Sequence, residues 1–127
     1  MSGFYEDLEQ KTLDNQYFRE VLFTGPYSQL VVMSLLPNEE IGMEVHHTVD
    51  QFIRVEKGTG KAVIDGEEFE LKDGSAVVVP AGANHNILNT SPDEPLKLYT
   101  VYAPPNHPEG TIHKTKAEAD AAEVAEH

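Results

Sequence analysis

The sequence predicts an all-β domain, a sandwich or closed barrel of short strands. Three observations point there. Short apolar runs recur along the chain, and each is closed by Gly, Pro, Asn or Asp. Asp65-Gly66 lies between two alternating runs, and both residues of such a pair tolerate the positive φ that a tight hairpin requires. No long segment of the middle carries a helical period.

The strands follow in order. Ser28 to Leu36 is rich in β-branched and apolar residues and stops at Pro37-Asn38. Ile41 to His47 comes next, then Gln51 to Glu56, which ends near Gly58 and Gly60. Lys61 to Ile64 and Glu67 to Leu71 are the arms of the Asp65-Gly66 hairpin. Ala76 to Val79, His85 to Asn89 and Leu96 to Ala103 complete the series. The ends differ. Residues Gly3 to Asn15 read as a short helix or an arm. Thr115-Lys116-Ala117-Glu118 has the Thr-x-x-Glu form of a capping box, and the Ala/Glu run to Glu126 favours helix. That run has little apolar surface and is expected to pack weakly.

Composition narrows the function. The 127 residues suit one domain, with a barrel core at about 28–103, an N-terminal arm 1–27 and a C-terminal tail 104–127. There is no cysteine, which removes disulfides, thiolate nucleophiles and Cys-based zinc sites. Nine Lys and Arg against 22 Asp and Glu leave a net charge of −13. Nucleic acid and anionic membrane surfaces would be repelled, so neither is an expected partner. The first twenty residues carry Glu6, Asp7, Glu9 and Asp14 and no long apolar run, unlike a secretory signal. The expectation is a soluble cytoplasmic protein.

Two segments carry the chemistry. Gly74-Ser75-Ala76-Val77-Val78-Val79-Pro80-Ala81-Gly82-Ala83-Asn84-His85-Asn86-Ile87-Leu88-Asn89 satisfies G-x5-P-x-G-x2-H-x3-N at every defined position. Pro80 and Gly82 build a turn, and His85 opens the next strand. This pattern resembles the second motif of the cupin superfamily. Gly42-Met43-Glu44-Val45-His46-His47-Thr48-Val49-Asp50-Gln51-Phe52-Ile53-Arg54-Val55-Glu56-Lys57-Gly58 resembles the first, whose core reads H-x-H-x(3,4)-E-x6-G. Gln51, seven residues before Gly58, takes the usual Glu position. Two alignments are open upstream. In one, Glu44 and His46 occupy the two His positions; in the other, Val45 and His47 do. The first is preferred because it puts two metal-competent side chains on one face of one strand. The spacer of fifteen residues between Gly58 and Gly74 is short, as in small bacterial members. Asp50-Gln51-Phe52-Ile53-Arg54-Val55 and Tyr102-Ala103-Pro104-Pro105-Asn106-His107-Pro108 resemble single-domain cupins described as sugar-phosphate-isomerase-like.

The resemblance implies a double-stranded β-helix, or jelly-roll barrel, with short terminal helices. It implies one divalent transition metal per chain, held by Glu44, His46, Gln51 and His85. This mixed N/O set suits Fe, Mn, Co, Ni or Zn. Glu44 is also the candidate catalytic base, and Gln51 has a second role open to it, bonding a ligand directly. His47 is expected to face solvent, and His107 and His113 to be loop residues. Tyr99 and Tyr102 alternate, so one of them faces the cavity. Arg54 reads as exterior, and neither it nor Arg19 obviously points inward, which argues against a phosphorylated substrate. Homodimers are common in the family, and the apolar segment Tyr17 to Phe23 suits strand exchange between copies. Two functions follow: metal-dependent isomerase- or dioxygenase-type chemistry on a small polar metabolite, or non-catalytic binding or sensing of one.

Overall fold

The computed structural model describes residues 2–126; Met1 and His127, the ends of the expected domain, lie outside the described residues. The elements in chain order are α1 (Leu8–Asp14), β1 (Arg19–Thr24), β2 (Gln29–Leu35), β3 (Glu44–Val45), β4 (Asp50–Lys57), β5 (Gly60–Ile64), β6 (Glu67–Leu71), β7 (Ala76–Val79), β8 (Asn84–Asn89), β9 (Leu96–Ala103), β10 (Ile112–His113) and α2 (Lys116–Glu126). They form two antiparallel sheets. One has six strands in the order β10-β1-β2-β9-β4-β7, the other four in the order β3-β8-β5-β6.

Alternation makes the core. Val31, Met33 and Leu35 of β2, Ile53 and Val55 of β4, and Leu96 and Leu98 of β9 point inward from the larger sheet. Ala62, Leu71 and Ile87 meet them from the smaller one. The inward residues nearest one end of these strands are polar: Gln51 on β4, Thr100 and Tyr102 on β9, and His85 on β8. The site lies there.

The apolar segment Tyr17 to Phe23 contributes β1, which pairs with β2 from Glu20 opposite Val32 to Thr24 opposite Gln29. The expected strand Ile41–His47 reduces to Glu44–Val45, because Gly42 turns the backbone at φ 108°. The N-terminal segment is a helix capped by Asp7, whose carboxylate accepts from the Gln10 amide at 3.2 Å. It packs on β2, β4 and β9. The Thr115 hydroxyl accepts from the Glu118 amide at 3.1 Å, so the cap read from the sequence forms. In the helix it starts, Ala119 is buried and joins the core, while Ala117, Glu118, Asp120 and Ala121 are exposed.

Two glycines separate steric from conformational need. A Cβ at Gly60 would stand 2.5 Å from the Leu88 carbonyl oxygen and 3.0 Å from Leu96 Cδ2. A Cβ at Gly66 would meet nothing within 4 Å, and only its φ of 83° opposes a side chain. Gly60→Ala is therefore expected to cost about 2–3 kcal/mol, as overpacking against backbone does, and Gly66→Ala about 1 kcal/mol. Urea denaturation of both variants measures the difference.

Candidate functional site

The site is assembled from the edge of the smaller sheet and the facing wall of the larger one. β3 pairs with β8 so that Glu44 lies opposite His85. Glu44 and His46 share a face of the β3 segment. Glu44 Oε2 lies 3.4 Å from His46 Nε2. The His46 ring is centred 5.2 Å from that of His85 and meets the Tyr102 ring edge-on at 5.9 Å. His85 is 4% exposed, and its Nδ1 is 3.1 Å from the Ala83 carbonyl oxygen. A carbonyl only accepts, so this bond places the ring proton on Nδ1 and leaves the Nε2 lone pair available.

From the opposite wall, Gln51 lies beside Tyr102 in register. Its Nε2 donates to Thr100 Oγ1 at 3.0 Å, which fixes the amide orientation. Its Oε1 is buried and has no hydrogen-bond partner. An orphaned buried acceptor costs stability unless something satisfies it. Among the described residues, no group of three or more His, Asp or Glu side chains is already gathered to hold a metal ion. The expected four residues are thus brought together in part: Glu44 with His46, His46 with His85, and Gln51 across from them beside Tyr102. His47 is exposed on the turn that follows β3. Arg54 lies in an ion pair with Glu56 at 3.5 Å.

The C-terminal tail supplies a third wall. Gln29, buried at the start of β2, holds it. Gln29 Oε1 accepts from the amides of Asn106 at 3.1 Å and His107 at 2.9 Å. Its Nε2 donates to the His107 carbonyl at 2.8 Å and to Thr24 Oγ1 at 2.9 Å. So clamped, the His107 ring lies edge-on to Tyr102 at 5.1 Å, with Nε2 at 3.4 Å from the hydroxyl. A cavity of about 360 Å³ remains, lined by Arg19, Glu44, His46, His107, His113 and Glu123 among others.

Three expectations change here. Arg19 does point inward: it is 7% exposed, and its Nη1 donates to His113 Nδ1 at 3.2 Å. His107 lies in the loop after β9, as expected, and lines the cavity, whereas His113 lies on β10 and lines it too. Arg19 shares its inward face of β1 with Val21; an irregularity in the pairing after Val21 turns Phe23 to the other face, opposite Leu30. Tyr102, rather than Tyr99, faces the site; Tyr99 stands against Phe52 at 6.3 Å.

Burial sets the electrostatics. It raises the Glu44 pKa above the usual carboxylate range, against the opposing pull of Arg19 and His85. Burial, then His85 and Arg19, lowers that of His46. The Tyr102 hydroxyl is pushed up and stays protonated. His107 is held down to about 3 by burial first, then by Arg19, His113 and His46.

The His107 shift predicts an acid response. The unfolded chain takes up a proton on this ring near pH 6.5, whereas the folded chain refuses it until about pH 3. Its contribution to stability is therefore complete above pH 6.5 and declines as the pH falls through that window. His107→Gln is expected to flatten the loss of stability between pH 7 and pH 4, read from urea midpoints across that range.

The family model described as "Cupin domain" matches residues 31–102. Among curated relatives, the chain is 48% identical over 126 residues to the uncharacterized protein YrkC of Bacillus subtilis, covering 94% of this chain and 67% of YrkC. It is 46% identical over 110 residues to the uncharacterized protein L612 of Acanthamoeba polyphaga mimivirus, covering 84% of this chain and 68% of L612. The crystal structure of BH2720 from Bacillus halodurans superposes with a TM-score of 0.92 at 43% identity, covering 94% of this chain and 95% of that one. Among the described residues, no helix is long and apolar enough to cross a membrane. The matched motif strands, the two-sheet barrel and these relatives together place the chain in the cupin family.

Proposed function

We propose that the chain is a metal-dependent cupin that acts on a small polar metabolite held between the barrel mouth and the C-terminal tail. The observation that carries this reading is Gln51 Oε1, a buried oxygen left without a partner beside the ring on which His46 packs. A cation would satisfy it. The donors around it suit one: His85 with its Nδ1 committed to a carbonyl, His46, the Glu44 carboxylate and the Gln51 amide oxygen. Two imidazoles, one carboxylate and one amide favour Fe, Mn, Co, Ni or Zn over the hard cations. When bound, such a metal supplies Lewis-acid polarisation of a substrate oxygen, or a site for oxygen chemistry.

The chain's own groups supply the rest. Burial raises the Glu44 pKa, so on an α-hydroxy carbonyl its carboxylate can take the proton from the hydroxyl-bearing carbon and return it to the former carbonyl carbon, while the hydroxyl proton passes to the former carbonyl oxygen. That exchange conserves all atoms and is an isomerisation. His46 lies 3.4 Å from Glu44 and orients the carboxylate. Tyr102 remains a donor, and His107 remains neutral. The tail lines the cavity beside the acid–base group. Oxygen-dependent cleavage would use the same walls with dioxygen as co-reactant.

A second reading, binding or sensing without chemistry, draws on the lack of a preformed three-donor group among the described residues. Elemental analysis of protein purified without chelator separates the two. About one transition metal per chain is expected, lost in His85→Ala and in His46→Ala. Gln51→Leu is expected to weaken metal affinity by about 10- to 100-fold. Glu44→Gln keeps a neutral donor, and is expected to retain metal while losing about 100-fold or more in turnover on an enolisable substrate. Metal-free protein that takes up none of the five ions would leave the binding module.

A further inference from the structure

Among the described residues, Arg19 is a buried cation with no ion-paired carboxylate. Its guanidinium stands in the cavity wall, 7% exposed, with its centre 5.2 Å from the Phe18 ring centroid. Nη1 is engaged by His113. Nε is buried and makes no hydrogen bond. Among the described residues, no carboxylate forms an ion pair with Arg19, although Glu44 is near enough to feel its charge. A buried charge without a partner is costly, by several kcal/mol in typical interiors. Among the described residues, no ion pair offsets that cost.

The shape of the vacancy on Arg19 selects an anion. With Nη1 occupied, the edge that carries Nε and Nη2 is left, and two parallel N–H groups match the two oxygens of a carboxylate. The surroundings limit the charge. Glu44, Asp120 and Glu123 line the same cavity, so a second negative charge would meet repulsion. The cavity of about 360 Å³ suits a ligand of few heavy atoms. A ligand anchored at Arg19 would present its other end to Glu44 and His46, which line the same space.

We infer that Arg19 is the anion anchor of the site and that the cavity takes a small monocarboxylic acid, with its carboxylate on the free guanidinium edge. This deepens the proposed function and rests on it for the cavity being the ligand site. It does not need the metal, because Arg19 lies outside the candidate ligand set.

Isothermal titration of chelator-treated protein tests it, with acetate, pyruvate, methyl pyruvate and inorganic phosphate as probes. Pyruvate is expected to bind, its uncharged methyl ester to bind at least tenfold more weakly, and phosphate to bind more weakly than pyruvate. Arg19→Met is expected to weaken pyruvate binding about 100-fold, and Arg19→Lys, which keeps the charge but not the fork, about tenfold. Arg19→Met is also expected to melt at or above the wild-type temperature, since an unpaired buried charge has been removed. If it fails to fold, Arg19→Lys still decides. Equal binding of pyruvate and its methyl ester overturns the inference. So does undiminished affinity in either variant, preference for phosphate, or no binding of any carboxylate at millimolar concentration. Metal content of wild type and His85→Ala is measured in parallel. Arg19-dependent binding without metal uptake sinks the metal reading alone; metal uptake without carboxylate binding sinks this one alone.

Discussion

Polar side chains buried at one end of an apolar two-sheet core must find partners, and that requirement organises the molecule. Along β4 and β9 the inward series changes from Val55, Ile53, Leu96 and Leu98 to Gln51, Thr100 and Tyr102. The apolar part holds the sheets together by burial. The polar part can exist only because each group is tied to another: Gln51 to Thr100, His85 to the Ala83 carbonyl, and Arg19 to His113. Among the described residues, two buried atoms at this end, Gln51 Oε1 and Arg19 Nε, make no hydrogen bond. One is an acceptor and one a donor, and they mark the places where a cation and an anion would be welcome.

The tail gives this polar end its character. Residues of this tail, from Asn106 to Glu123, line the cavity beside Glu44 and His46. Gln29 holds the tail by taking two amides and giving one hydrogen to a carbonyl, so that backbone at 106–107 is fixed to the start of β2. Ala119 anchors α2 in the core from the other side. The resulting desolvation moves Glu44 up and His46 and His107 down, in each case toward the neutral form. Neutral imidazoles are good metal donors, and a carboxyl shifted upward is a better proton carrier near neutral pH.

The barrel strands were legible because their physics is local. Asp65-Gly66 needs no tertiary context to turn, and the observed hairpin arms match it residue for residue. Alternation in β4, β8 and β9 likewise shows in the sequence. β1 was less legible, since Arg19 stands on its inward side beside Val21 and the irregularity before Phe23 breaks the alternation. β3 was overestimated because Ile41 and Val45 suggest a strand, yet Gly42 breaks it.

What the sequence determined by itself is the family, most of the strand series and the motif positions Gln51 and His85, with Glu44 and His46 preferred upstream over Val45 and His47, because turn chemistry and period-two burial act over a few residues. What only the tertiary structure decided is the company those residues keep. Arg19 and His113 meet across 94 positions of chain, and the Gln29 clamp spans 78 to His107. Contacts of that range leave no local pattern. They exist only because β1, β2 and the tail are brought side by side, and the burial they create, which no residue carries alone, sets the charge state of the site.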